Sequence, residues 1–247
     1  MSIIKISLCG AGGRMGIAIE NSLQTKTERF KLLGKLGSSH TEAELMKFCK
    51  NSDVIIDFSN ANSLKNLTKM AASCGTRLVV GTTGLKEEHF EYLEALSTQV
   101  AVLYAANTSL GANLVAMLAA KSAKLLKEYD VEIIEAHHKY KKDAPSGTAL
   151  MIGQKIADAI NINFADHAVF DRASKGLRCQ GEIGFASIRG GGIFGENEVI
   201  FAGENEVVTV GCRALSRAAF ADGALFAAQW ISDKNPGLYS MQDALQL

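Results

Sequence analysis

Ile3-Ile4-Lys5-Ile6-Ser7-Leu8-Cys9-Gly10-Ala11-Gly12-Gly13-Arg14-Met15-Gly16 carries two patterns and the turn between them. Residues 3–9 are short and rich in β-branched side chains, which reads as a buried strand. Residues 15–23 have helical spacing. Strand, glycine turn, helix is where a dinucleotide fold places its phosphate loop. Glycines let the backbone approach a pyrophosphate, and the helix start supplies oriented N–H groups. The spacing is Gly10-x-x-Gly13-x-x-Gly16, with Met15 where the strict fingerprint has glycine. Gly10, Ala11, Gly12, Gly13, Arg14 and Met15 are therefore candidate cofactor contacts, against the competing reading of a tight turn without a ligand.

Outward from this stretch, strands are expected at 30–36, 54–58, 78–80 and 100–104, with helices at 63–73 and 86–96. The unbroken apolar run at 54–58 suits a parallel strand covered on both faces. The alternation predicts a doubly wound parallel sheet. Gly81-Thr82-Thr83-Gly84 and Ala105-Ala106-Asn107-Thr108-Ser109 each follow one of these strands, at the end where open α/β sheets bind ligands. Gly81, Thr82, Thr83, Ala105, Ala106, Asn107 and Thr108 join the candidate cofactor set, though Thr and Ser there also suit helix capping. The stretch after the second strand, Gly37-Ser38-Ser39-His40, has no carboxylate for a ribose. NADPH is therefore expected to serve at least as well as NADH.

The pattern changes after Asn107. Helices are expected at 110–127 and 147–160, and strands at 131–136, 183–188, 198–202 and 207–212, the last two joined by a hairpin at 203–205. Successive strands without helices imply a mixed sheet in a second domain. An alanine-lined helix at 216–230 is expected to return to the first domain. The predicted fold is α/β, an N-terminal Rossmann-like doubly wound parallel sheet plus a C-terminal α+β domain with a mixed sheet. The predicted domains are 1–107 with 217–247 for dinucleotide binding and 108–216 for substrate binding and oligomerisation.

The composition narrows the function. Lys plus Arg is 26 and Asp plus Glu is 26, so no positive excess favours nucleic acid or an anionic membrane. Cys9, Cys49, Cys74, Cys179 and Cys212 are widely spaced and contain no Cys-x-x-Cys pair. They read as reduced thiols in a cytoplasmic compartment, not as a disulfide frame or a metal site. The longest apolar runs are far too short to span a bilayer, and no signal peptide is expected.

The segment richest in chemistry is Glu135-Ala136-His137-His138-Lys139-Tyr140-Lys141-Lys142-Asp143-Ala144-Pro145-Ser146-Gly147-Thr148. Paired histidines suggest metal, but no third His or Cys is nearby and the lysines oppose a cation. Local positive charge suits a small dicarboxylate, and a histidine in such a field can act as a general acid. Ser146-Gly147-Thr148 then opens a helix and offers hydroxyl and N–H groups to a carboxylate. The competing reading is a solvated basic loop before a capped helix.

Taken in order, GAGGRMG (10–16), DFS (57–59), GTTG (81–84), AANTS (105–109), EAHHKYKKDAPSGTA (135–149) and GFASIRGGGIFGE (184–196) resemble the 4-hydroxy-tetrahydrodipicolinate reductase (dihydrodipicolinate reductase) family. The resemblance implies NADPH- or NADH-dependent reduction of 4-hydroxy-tetrahydrodipicolinate to tetrahydrodipicolinate in lysine and diaminopimelate synthesis. It implies His137 as proton donor or acceptor and Lys141 as the second proton-donating residue. His138, Ser146, Gly147 and Thr148 would bind substrate, and the three glycine- and hydroxyl-rich loops would hold the cofactor. A homotetramer built through the second domain's sheet is also implied. Two positions depart from the family pattern. Ser38 and Ser39 fall where an acidic residue is often found, and Thr108 where Phe often stands. The short interval between the second and third strands is expected to leave the adenine side open. The rival reading is a dinucleotide-binding redox sensor without turnover, which has no use for a His–Lys cluster.

Overall fold

The computed structural model describes residues 2–37 and 41–246. The chain forms two compact units, Met1–Leu110 with Arg217–Leu247, and Gly111–Ser216. The order of elements is β1 (Ile4–Cys9), α1 (Arg14–Gln24), β2 (Phe30–Leu36), α2 (Glu42–Asn51), β3 (Val54–Asp57), a 3-10 turn at Ala61–Ser63, α3 (Leu64–Cys74), β4 (Arg77–Val80), α4 (Glu87–Ser97) and β5 (Ala101–Tyr104). Next come α5 (Leu110–Leu125), β6 (Asp130–His137), α6 (Gly147–Ile160), α7 (Phe164–His167), β7 (Ala168–Val169) and α8 (Arg172–Lys175). The chain continues through β8 (Ile183–Arg189), β9 (Glu196–Ala202), β10 (Val207–Arg213), α9 (Ala218–Ile231), β11 (Gly237–Tyr239) and α10 (Met241–Leu245).

The first unit is a Rossmann-like sheet in the order β11-β5-β4-β3-β1-β2, with every pair parallel. Strand alternation sends Ile6, Leu8, Val54, Ile56, Val79 and Leu103 to one face, where α9 packs with Ala221, Ala224 and Ala228. It sends Cys9, Ile55, Leu78, Val80 and Val102 to the other, against Leu45, Leu67 and Leu93 of the covering helices. Both faces are therefore apolar, and each fully buried Leu, Ile or Val contributes about 1.5–3 kcal/mol. Small residues on α9 permit close approach. A Cβ at Gly223 would run into the Thr108 carbonyl.

Several elements of this unit lie outside the sequence expectations, the short 3-10 turn at Ala61–Ser63 and α10 after the expected final helix among them. α2 fills the interval between the second and third strands, where no element was expected. Its start is a capping box in which Thr41 accepts from the Glu44 N–H while Glu44 accepts from the Thr41 N–H. β11 pairs with β5 through only three residues, too few for a period-two pattern.

The second unit holds a five-stranded sheet in the order β10-β9-β6-β8-β7. β6 pairs in parallel with β8 and antiparallel with β9, so the sheet is mixed. One face carries Val131, Ile133, Phe185, Val199 and Phe201 and is sealed by Val115 and Ala119 of α5 and Ile152 and Ile156 of α6. On the opposite face Ile188 and Val207 are more than half exposed.

Candidate cofactor and substrate sites

In the first unit, the carboxyl ends of β5, β4, β3 and β1 stand side by side, and each leads into a loop singled out from the sequence. The strand order reverses at β1, which places the switch point between β1 and β3. Gly10 sits there with φ +77°, and any Cβ on it would strike the Phe58 carbonyl. Gly16, one turn into α1, packs against the Gly10 carbonyl and the Ala11 backbone in the same way. Gly12 differs, because no heavy atom stands within 4 Å of the Cβ position. Gly13 is the N-cap of α1, and the first turn of α1 has no acidic residue. The result is an open helix start without a carboxylate, led by the exposed Arg14 and beside a bare glycine, which fits a pyrophosphate.

The other loops divide by exposure. Gly12, Gly13, Arg14, Thr83 and Ala106 are exposed, and Gly10, Met15 and Asn107 are half-buried. Ala11, Gly81, Thr82, Ala105 and Thr108 are buried. The Thr108 hydroxyl donates to the Phe220 carbonyl at 2.7 Å, so that side chain serves the fold. Thr82 donates to Asp57 Oδ2 at 2.7 Å. Asp57 Oδ1 accepts from the Ser59 N–H at 3.2 Å and the Ser59 hydroxyl at 2.5 Å. Burial pushes the Asp57 carboxyl up, while the bonds from Ser59 and Thr82 draw it back. Ser38 and Ser39, on which the cofactor preference turned, lie outside the described residues.

In the second unit, strand alternation puts Glu135 and His137 on the same side of β6. Parallel register with β8 sets Ser187 beside Glu135 and Arg189 beside His137. Glu135 Oε2 lies 2.6 Å from His137 Nδ1. Arg189 donates from Nη1 to Oε2 at 2.8 Å and from Nη2 to Oε1 at 2.7 Å. The Ser146 N–H donates to Oε1 at 3.2 Å. Burial pushes the Glu135 carboxyl up, but Arg189, Ser187 and His137 together hold it below the usual carboxylate range. Burial also lowers the His137 imidazole, Glu135 opposes that, and the charges of Lys141 and Arg189 add to it, leaving His137 below its ordinary value. A Cβ on Gly195 would stand 3.2 Å from His137 Nε2, so the glycine keeps that nitrogen clear.

The remaining substrate candidates cluster near this dyad in the sequence and in the unit. Lys141 Nζ pairs with Asp143 Oδ2 at 2.8 Å. His138 is half-buried, and its Nδ1 has no hydrogen-bond partner among the described residues. Ser146 caps α6, its hydroxyl accepting from the Ala149 N–H at 3.3 Å and keeping its own proton to donate. Gly147 is exposed with no heavy atom within 4 Å of its Cβ position, and Thr148 is half-buried. The first turn of α6 has no acidic residue. Among the described residues no group of three His, Cys, Asp or Glu could hold a metal ion, and no helix is long and apolar enough to cross a membrane. Sequence reasoning gave no role to Glu135, Arg189 or Asp57. The Glu135/His137 spacing in a predicted strand was an available signal. The β6–β8 register that brings in Arg189 was not.

A glycine-turned parallel sheet and a second unit carrying an oriented histidine among cations define a dinucleotide-dependent oxidoreductase. Residues 4–108 match the family described as dihydrodipicolinate reductase, N-terminus, and residues 111–245 match dihydrodipicolinate reductase, C-terminus. The chain is 43% identical over 245 residues to the 4-hydroxy-tetrahydrodipicolinate reductase of Rickettsia rickettsii (strain Sheila Smith), covering 99% of this chain and 100% of that protein. It is 42% identical over 254 residues to the reductase of the same name from Zymomonas mobilis subsp. mobilis, covering 100% and 98%. In fold it is similar to the dipicolinate-bound dihydrodipicolinate reductase from Paenisporosarcina sp. TG-14, with TM-score 0.77 and 22% identity over 98% of this chain and 99% of that one. The chain belongs to the dihydrodipicolinate reductase family, NAD(P)H-dependent oxidoreductases of lysine and diaminopimelate synthesis.

Proposed function

We propose that this chain reduces 4-hydroxy-tetrahydrodipicolinate with NADPH or NADH, using His137 to carry the proton and Lys141 to hold a substrate carboxylate. The observation that carries the reading is the His137 imidazole, held at Nδ1 by Glu135, which also accepts from the Ser146 N–H at the start of α6, with Gly195 beside Nε2 and Lys141 four residues on. The loops 10–15, 81–83 and 105–108 would bind the cofactor, with Gly12 and the N–H groups of α1 receiving the pyrophosphate. When bound, the reduced nicotinamide supplies a hydride. The 4-hydroxyl first leaves as water, which gives the conjugated imine; hydride addition then puts negative charge along that unit, and His137 delivers the proton that completes reduction. Lys141 and the N–H groups of Gly147 and Thr148 bind the carboxylates, and His138 contacts the ring.

With no ligand bound, His137 is mainly neutral near pH 7. A dianionic substrate offsets the field of Lys141 and favours the protonated imidazole when the proton is needed. Replacement of His137 by Gln should lower turnover by at least about 100-fold while sparing cofactor binding. Replacement of Lys141 by Ala should impair both turnover and substrate affinity.

The half-exposed Ile188 and Val207 on the uncovered sheet face of the second unit support a homotetramer formed through that sheet, which sedimentation equilibrium tests. Free cysteines support a cytoplasmic setting. The test of function generates substrate in situ from pyruvate and aspartate semialdehyde with a separate synthase, then follows loss of reduced-nicotinamide absorbance with NADPH and NADH in parallel. Oxidation that requires both the synthase and this chain supports the reductase. A folded protein that binds NADPH but oxidises neither cofactor overturns it and favours the sensor.

A further inference from the structure

Glu135 is a buried carboxylate, 1% exposed, on the sheet face that carries the apolar cluster of Val131, Ile133, Phe185, Val199 and Phe201. An ion taken out of water costs several kcal/mol unless its lone pairs are met. Here they are all met. Oε1 receives Arg189 Nη2 and the Ser146 N–H, while Oε2 receives Arg189 Nη1 and faces His137 Nδ1. The fork of Arg189 matches the carboxylate bidentately, the strongest common geometry for such a pair. Arg189 is itself held, since Nη2 also donates to the Asp143 carbonyl at 2.6 Å and Nη1 to the Ile188 carbonyl at 2.7 Å.

This arrangement has a directional consequence. A carboxylate with both oxygens already accepting can only accept from His137, so the proton on Nδ1 is fixed and Nε2 is the nitrogen left to exchange a proton. Arg189 keeps Glu135 ionised, so Glu135 does not itself take the proton. The groups facing His137 are Glu135 on its own strand, Arg189 from β8 and Lys141 from the following loop, one anion against two cations.

We infer that Glu135 and Arg189 are positioning residues for the reduction: Glu135 sets the tautomer and aim of His137 and supports its imidazolium, and Arg189 locks Glu135 in place. This rests on the role given above to His137.

The test compares the full-length protein with Glu135→Gln, Glu135→Asp and Arg189→Lys. Glu135→Gln keeps the shape and removes the charge. The expected result is kcat lowered by about 100-fold, with NADPH binding and KM within about threefold of the unaltered protein. The basic limb of the kcat/KM profile, on which His137 loses the proton it must deliver, should move to lower pH. Glu135→Asp should recover part of kcat, and Arg189→Lys should lie between the two. A second readout does not depend on turnover. In ¹⁵N-histidine NMR, His137 should exist as the Nδ1–H tautomer in the unaltered protein and as a mixture in Glu135→Gln, with a lower titration midpoint.

A folded Glu135→Gln protein with unaltered kcat, pH profile and His137 spectrum overturns the inference. If Glu135→Gln does not fold, Glu135→Asp and Arg189→Lys carry the same comparison. If the unaltered protein shows no reductase activity, the functional reading falls, while the His137 spectra still decide whether Glu135 sets its tautomer.

Discussion

The Thr82 hydroxyl donates to Asp57 Oδ2 across 2.7 Å, tying the turn after β4 to the turn after β3. The other oxygen of Asp57 holds the Ser59 N–H and hydroxyl, so one buried carboxylate ties together the loops after β3 and β4. Asp57→Ala should strand these donors and cost about 1–3 kcal/mol in urea unfolding. It should also weaken NADPH binding by about tenfold, the equivalent of about 1.4 kcal/mol, as read by titration of nicotinamide fluorescence. Asp57→Asn retains one acceptor and should do less on both counts. Unchanged NADPH affinity in a stable Asp57→Ala protein would mean that these loops need no such tie.

The glycine loop separates backbone packing from ligand approach. Gly16→Ala forces a methyl against the Gly10 carbonyl and the Ala11 backbone and should destabilise by about 1–3 kcal/mol. Gly12→Ala adds its methyl to open space. That variant should melt with the unaltered protein yet bind NADPH several-fold more weakly, because the methyl occupies the approach of the pyrophosphate. A Gly12→Ala protein that binds NADPH normally would remove Gly12 from the cofactor site.

Much of this was legible in the chain itself. The run Val54-Ile55-Ile56 announces a strand covered on both faces, and Gly10 to Gly16 announces the turn that follows β1. The charge of the basic stretch around His137 suggests a small polyanion, but suits a solvated loop before a capped helix equally well. Pairing across distant segments was not legible. Arg189 reaches Glu135 only through the β6–β8 register, and Asp57 reaches Thr82 only because β3 and β4 are neighbours. Thr108 shows the opposite limit. Its hydroxyl suggests a ligand contact but satisfies the Phe220 carbonyl, whereas the Ser146 hydroxyl caps α6 and keeps its proton to donate.

Asp143 Oδ2 sits 2.8 Å from Lys141 Nζ, and that hydrogen bond holds the Asp143 carboxyl below its usual range. Asp143 is largely exposed, so the pair adds at most about 1 kcal/mol to stability. It does occupy the cation expected to bind a substrate carboxylate. Asp143→Asn should lower KM several-fold at low ionic strength, with the gap narrowing as salt is raised. A raised KM would show instead that Asp143 holds Lys141 in its working position.

Acid should destabilise this protein in two steps. His137 and Glu135 both have folded-state values below their ordinary ones, so the unfolded chain binds more protons than the folded one across each window. The stabilisation is therefore complete above the ordinary value of each group and is lost as pH falls through the folded value. For His137 the loss begins near 6.5, and for Glu135 near 4.5. Between pH 7 and pH 5 the unfolding free energy of the unaltered protein should fall more steeply than that of His137→Gln, since the other histidines are common to both. Each unit of downward displacement of His137 is worth about 1.4 kcal/mol over its full window. Parallel urea-unfolding curves for the two proteins across this range would mean that His137 titrates in the folded protein as it does in the unfolded chain. The opposing pull of Glu135 would then cancel burial and the two cations, and His137 would rest substantially protonated at pH 6.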